Sequence, residues 1–125
     1  MDDREFFRTV AQRSGLSRQE AADVTRATLE TLADRLSGGE AQDLAAQLPD
    51  GLREYLRAER NKGAKRFGLD EFVDRISQRN GLKPAETRTA LRAVFTTLRD
   101  ASGDEFDEVM SQLPKEMQNL VTATS

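Results

Sequence analysis

Shifting the chain by 66 residues onto itself brings Phe6 onto Phe72, Gln12-Arg13 onto Gln78-Arg79, Gly15-Leu16 onto Gly81-Leu82, Glu20 onto Glu86, Arg26-Ala27 onto Arg92-Ala93 and Thr31-Leu32 onto Thr97-Leu98. The register then slips by one residue. At a shift of 65, Ser37-Gly38 meets Ser102-Gly103, Glu40 meets Glu105, and Gln47-Leu48-Pro49 meets Gln112-Leu113-Pro114. The matches include glycine and proline punctuation as well as apolar positions, which composition alone rarely reproduces in order. The chain is therefore read as a tandem duplication, and its fold has to be assembled from two copies of one unit.

The spacing of apolar residues makes that unit helical. In the first copy Phe6, Phe7, Val10 and Ala11 fall on one helical face, with Gly15 where a left-handed cap is expected. Ser17-x-x-Glu20 reads as a capping box opening a second helix, flanked by Leu16 and Ala21. The stripe of that helix runs through Ala21, Thr25, Thr28, Leu29, Leu32 and Leu36, and Ser37-Gly38-Gly39 reads as its C-terminal stop. Ala41, Leu44, Ala45 and Leu48 predict a third helix. Leu52, Tyr55 and Leu56, after Pro49, predict a fourth.

The second copy repeats the pattern with Leu69, Phe72, Val73 and Ile76, then Leu91, Val94, Phe95 and Leu98, then Phe106, Val109, Met110 and Leu113, and finally Met117, Leu120 and Val121. Pro84 takes over part of the capping role. No sustained period-two run competes, so the expected class is all-α. Each copy holds roughly 55 residues, too few to be comfortable alone without disulfide or metal staples. The expectation is one helical domain over 1–125, a pseudo-two-fold bundle with four short helices per repeat. Repeat one spans about 4–57, a linker 58–67 and repeat two about 68–122. Phe95 stands opposite Leu29, and Phe106 opposite Ala41, which predicts a core weighted toward repeat two.

Two zeros narrow the chemistry. Without Cys there is no disulfide scaffold, thiolate nucleophile or cysteine zinc site. Without His the commonest general base and metal ligand are missing. No Ser-x-x-Lys or Gly-x-Ser-x-Gly element supplies a nucleophile. Gly38-Gly39, read as a helix C-terminus, is at the wrong end for phosphate binding. The expectation is a protein that is not an enzyme and needs no cofactor or metal. No stretch is apolar enough to span a membrane, and Met1-Asp2-Asp3-Arg4-Glu5 is unlike a signal peptide, which places the chain in the cytoplasm.

The string Gly15-Leu16, Glu20-Ala21, Leu32, Leu36-Ser37-Gly38-Gly39-Glu40-Ala41, Leu44 and Gln47-Leu48-Pro49 resembles the repeat of a bacterial family of duplicated helical proteins, domain-of-unknown-function family 2267. The likeness runs from about Arg4 to Val121 and includes Arg66-Phe67-Gly68-Leu69-Asp70-Glu71-Phe72 at the opening of the second copy. Gly103-Asp104-Glu105-Phe106 departs from the pattern by one residue. The resemblance implies a duplicated helical fold in the bacterial cytoplasm and carries no activity or functional residues to transfer.

Two local features invite a functional reading. Arg57, Arg60, Lys62, Lys65 and Arg66 face a single acid, Glu59, in the linker, and such a loop suits phosphates of nucleic acid or an anionic ligand. No aromatic residue is interleaved there to stack on bases, so a solvated spacer is the preferred reading. Asp104-Glu105-Phe106-Asp107-Glu108 concentrates carboxylates, but it lacks the Asp-x-Asp-x-Asp-Gly spacing of a calcium loop and suits a helix N-terminus. The expected function is a non-catalytic module for protein interaction or self-association. Its candidate partner surface is Phe7, Tyr55, Phe67 and Phe106, bulky residues near element ends. The alternative is a regulatory protein that engages nucleic acid or an anionic ligand through the basic linker.

Overall fold

A computed structural model of the chain describes residues 1–56 and 67–122. Among them are α1 (Asp3–Ser14), α2 (Arg18–Arg35), α3 (Gly38–Ala46), α4 (Asp50–Arg53), α5 (Leu69–Asn80), α6 (Pro84–Ser102), α7 (Asp104–Ser111) and α8 (Lys115–Thr122), with a 3-10 turn at Glu54–Leu56. No strand occurs among the described residues, and the fold is all-helical.

Local chemistry sets the boundaries. The Asp2 carboxylate accepts from the Glu5 N–H at 2.8 Å to open α1. α1 and α5 are both 12 residues long and end on Gly15 (φ 79°) and Gly81 (φ 78°). Both glycines have open space around them, but a side chain in the left-handed conformation would strain the backbone. The capping box of α2 is complete, with Glu20 N–H donating to Ser17 Oγ at 3.1 Å and Ser17 N–H to Glu20 Oε1 at 3.0 Å. α6 starts with Pro84 at its first position, and the Lys83 N–H donates to Glu86 Oε1 at 3.1 Å.

Two local expectations are corrected. Gly38-Gly39 opens α3 rather than closing α2. Leu36 already turns extended (φ −90°, ψ 156°), which ends α2 before the glycines. Ser37 is then free to cap α3 by accepting from the Glu40 N–H at 3.3 Å. The fourth helix of repeat one is a single α-turn that tightens into the 3-10 turn, although Leu52 and Leu56 are both buried as its stripe requires.

The stripes meet in one buried cluster that draws on both halves of the chain. α1 packs on α2 and also on α6, while α5 packs on α6 and also on α2. The two cross-repeat junctions use matched residues. Arg13 of α1 donates to Thr97 Oγ1 (3.3 Å) and Asp100 Oδ2 (2.6 Å) of α6. Arg79 of α5 donates to Thr31 Oγ1 (2.7 Å) and Asp34 Oδ2 (3.0 Å) of α2. Repeat two carries most of the buried aromatic side chains. Its rings form a chain from Phe67 to Phe72, Phe95 and Phe106, with successive centroids 6.0, 6.1 and 6.4 Å apart.

Candidate functional site

Positions 89, 92, 93, 96 and 99 recur at three- and four-residue spacings and so share one face of α6. With Arg13 of α1 they line an open cavity of about 380 Å³ whose side chains are Arg13, Thr89, Arg92, Ala93, Thr96 and Arg99. Three guanidinium groups therefore border it, and no carboxylate does. Arg13 is fixed in place, since besides its bond to Asp100 it donates from Nη1 to Thr96 Oγ1 at 3.1 Å. Arg92 is half-buried, and its Nε is enclosed without a hydrogen-bond partner. Neither Arg92 nor Arg99 has a carboxylate within ion-pair distance among the described residues. Arg99 also borders a neighbouring cavity of about 330 Å³ whose lining includes Phe106, Met110 and Val121.

A counterpart lies at the other cross-repeat junction. Asp23, Arg26, Ala27 and Glu30 of α2, with Arg79 and Asn80 of α5, line a cavity of about 390 Å³. Two guanidinium groups here face two carboxylates. Arg26 Nε donates to Glu30 Oε2 at 3.2 Å, and this bond, ahead of the charge of Glu30, stabilises the protonated guanidinium further. The Arg26 guanidinium also lies 5.5 Å from the centre of the Tyr55 ring.

The residues singled out from sequence are placed as follows. Arg57, Arg60, Lys62, Lys65 and Arg66 lie outside the described residues. Phe7 and Tyr55 are half-buried and packed against the core. Phe67 (8% exposed) and Phe106 (3%) belong to the core itself and present no surface to a partner. Phe67 turns inward because its ring stacks toward Phe72 and is covered by the Arg75 guanidinium, 4.0 Å from its centroid. Phe106 does so because its ring meets the edge of Phe95.

The acidic run opens α7. Within it, Glu105 is held above the ordinary carboxylate range by burial first, then by Asp43 and Glu40 of α3 and by Glu108. A carboxyl whose folded pKa is raised keeps a proton that the unfolded chain has released, so this position loses stability as pH rises through the interval between the two values. Glu105→Gln is accordingly expected to melt at a higher temperature than the parent at pH 7. The gain should disappear below about pH 3.5, where the carboxyl is protonated in both states. Thermal melts at the two pH values check this, and a variant that melts lower at pH 7 would contradict the origin given for the shift.

Arg92, Arg99 and Thr96 were not among the residues singled out from sequence, although the match of the sequence to itself holds their signal. The shift of 66 matches Arg26 with Arg92 while exchanging Asp23 for Thr89, Glu30 for Thr96 and Ala33 for Arg99. One copy keeps the cation and loses its counter-charges.

The family model described as an uncharacterized conserved protein, DUF2267, matches residues 3–120, and the chain belongs to that family. A comparison with curated proteins gives no match. No helix among the described residues is long and apolar enough to cross a membrane.

Proposed function

We propose that the protein is a non-catalytic helical binding module that recognises an anionic group on its partner by charge rather than through an apolar groove. The observation that carries this reading is the cavity between α1 and α6, bordered by three arginines and no carboxylate on a chain whose net charge is −3. Two further features support it. Met1 is the only large hydrophobic side chain that is exposed among the described residues, while Phe7, Leu16, Tyr55, Leu82 and Leu120 are half-buried against the core. The chain also lacks His and Cys, which removes imidazole and thiolate chemistry.

Retention on heparin-agarose tests the reading. At about 50 mM salt the acidic protein is expected to stay on the polyanion and to elute by about 200 mM, because contacts of this kind weaken steeply with ionic strength. Flow-through of the wild-type protein at low salt would overturn the proposal. Neutralising Arg57, Arg60, Lys62, Lys65 and Arg66 together separates the linker from the cavity. Retention of that variant assigns recognition to the cavity, and its loss assigns it to the linker.

A further inference from the structure

The two copies of the unit carry cavities of similar size at matched places, and the difference in charge between them comes from a few exchanged residues. In repeat one the Nε of Arg26 is satisfied by Glu30, and Asp23 lines the same wall. In repeat two the matching Arg92 has Thr96 and Thr89 at those positions, and its Nε is enclosed and unpaired. A charged N–H withdrawn from water with no acceptor costs free energy, and an oxygen acceptor in the adjacent cavity would recover it on a turn of the Arg92 side chain that brings its Nε to the cavity wall. Thr96 does not take the place of Glu30 as that acceptor: its hydroxyl accepts from Arg13 and donates to the carbonyl of Ala93 at 3.1 Å, and the Arg92 Nε has no partner.

The charge balance narrows the ligand. Arg13 is matched by Asp100, whereas Arg92 and Arg99 are unmatched among the described residues. Two uncompensated guanidinium groups suit the roughly two negative charges of a phosphomonoester near neutral pH. Guanidinium forks also fit phosphate oxygens in pairs. A cavity of about 380 Å³ falls within the range of small-molecule sites and holds more than a phosphate group alone. The adjoining cavity that shares Arg99 is lined by Asp107, Ser111 and Gln118 together with the largely buried Phe106, Met110 and Val121, so an organic substituent there meets polar as well as apolar groups.

We infer that the cavity between α1 and α6 binds the phosphoryl group of a small phosphomonoester through Arg13, Arg92 and Arg99, and that its counterpart in repeat one does not, because Glu30 pairs with Arg26 and Asp34 with Arg79 there. This deepens the charge-based reading above and rests on it.

Titration calorimetry of the full chain with inorganic phosphate and with phenyl phosphate tests the inference. One site per chain is expected. Arg92→Gln and Thr96→Glu, the second of which restores the carboxylate of repeat one, should each weaken binding by about tenfold to a hundredfold. Arg26→Gln in the counterpart cavity should leave binding unchanged. Arg99→Gln alters an exposed side chain and should also lose affinity, which keeps the test valid if the Arg92 variant misfolds by far-UV circular dichroism.

Absence of any titration by either phosphate compound at millimolar concentration overturns the assignment, as does wild-type affinity in Thr96→Glu. Acetate binding as tightly as phosphate overturns the choice of ligand. A short single-stranded oligonucleotide that displaces phenyl phosphate and binds more tightly would move the site to phosphodiesters. Heparin retention without phosphate binding removes this site while the charge-based reading stands, and loss of both removes both.

Discussion

Replacing Phe95 by Ala is expected to destabilise the protein by about 3–5 kcal/mol, the range for truncating a large aromatic side chain in a core. The ring is 1% exposed and occupies the middle of the aromatic chain. It approaches Phe72 at 6.1 Å with planes 70° apart and Phe106 at 6.4 Å with planes 76° apart. Both are edge-on arrangements, each contributing about 0.5–1.5 kcal/mol beyond area burial. Removing the central ring therefore opens a cavity and breaks two aromatic contacts at once. Phe95→Leu installs the residue found at matched position 29 and retains most of the volume, so its expected cost is roughly half as large or less. Chemical denaturation followed by circular dichroism measures both. A cost below about 1.5 kcal/mol for Phe95→Ala would show that α5, α6 and α7 close over the gap and that the ring chain does not hold repeat two together.

The elements that sequence made legible are those specified by neighbours along the chain. Gly15 and Gly81 end helices because a left-handed residue is needed where the apolar period stops, and Ser17 with Glu20 starts one because two free N–H groups need acceptors. Local information fails where one string fits two structures. A glycine pair behind an apolar stripe suits the end of one helix or the beginning of the next, and the capping bond from Ser37 decides for α3. The spacing of Leu52, Tyr55 and Leu56 is satisfied by a turn of α-helix and a 3-10 turn as readily as by one continuous helix. Bulk near an element end did not locate a surface either, since Phe67 and Phe106 reach inward to other rings. The cationic cavity joins α1 to α6, and no local period relates elements so far apart in the chain. Only a comparison of the copies with each other exposes it, through the carboxylates of repeat one that repeat two lacks.

Leu32→Ala and Leu98→Ala are each expected to cost about 2–5 kcal/mol, the span for a buried leucine. Both side chains are 1% exposed, at matched positions on the longest helix of each copy. The more informative outcome is how the loss is distributed. Because α1 packs on α6 and α5 on α2, with Arg13 and Arg79 bonded across the two junctions, unfolding either copy strips the other of part of its covering. One cooperative transition is therefore expected to move as a whole. The chain has a single Tyr and no Trp, so fluorescence from Tyr55 reports on repeat one alone while far-UV circular dichroism reports on both copies. Leu98→Ala, a change in repeat two, should shift the Tyr55 transition and the dichroism transition together and by the same amount. If the dichroism transition of that variant splits or shifts while Tyr55 unfolds where it does in the parent protein, the copies are two domains and the cross-repeat contacts do not couple them.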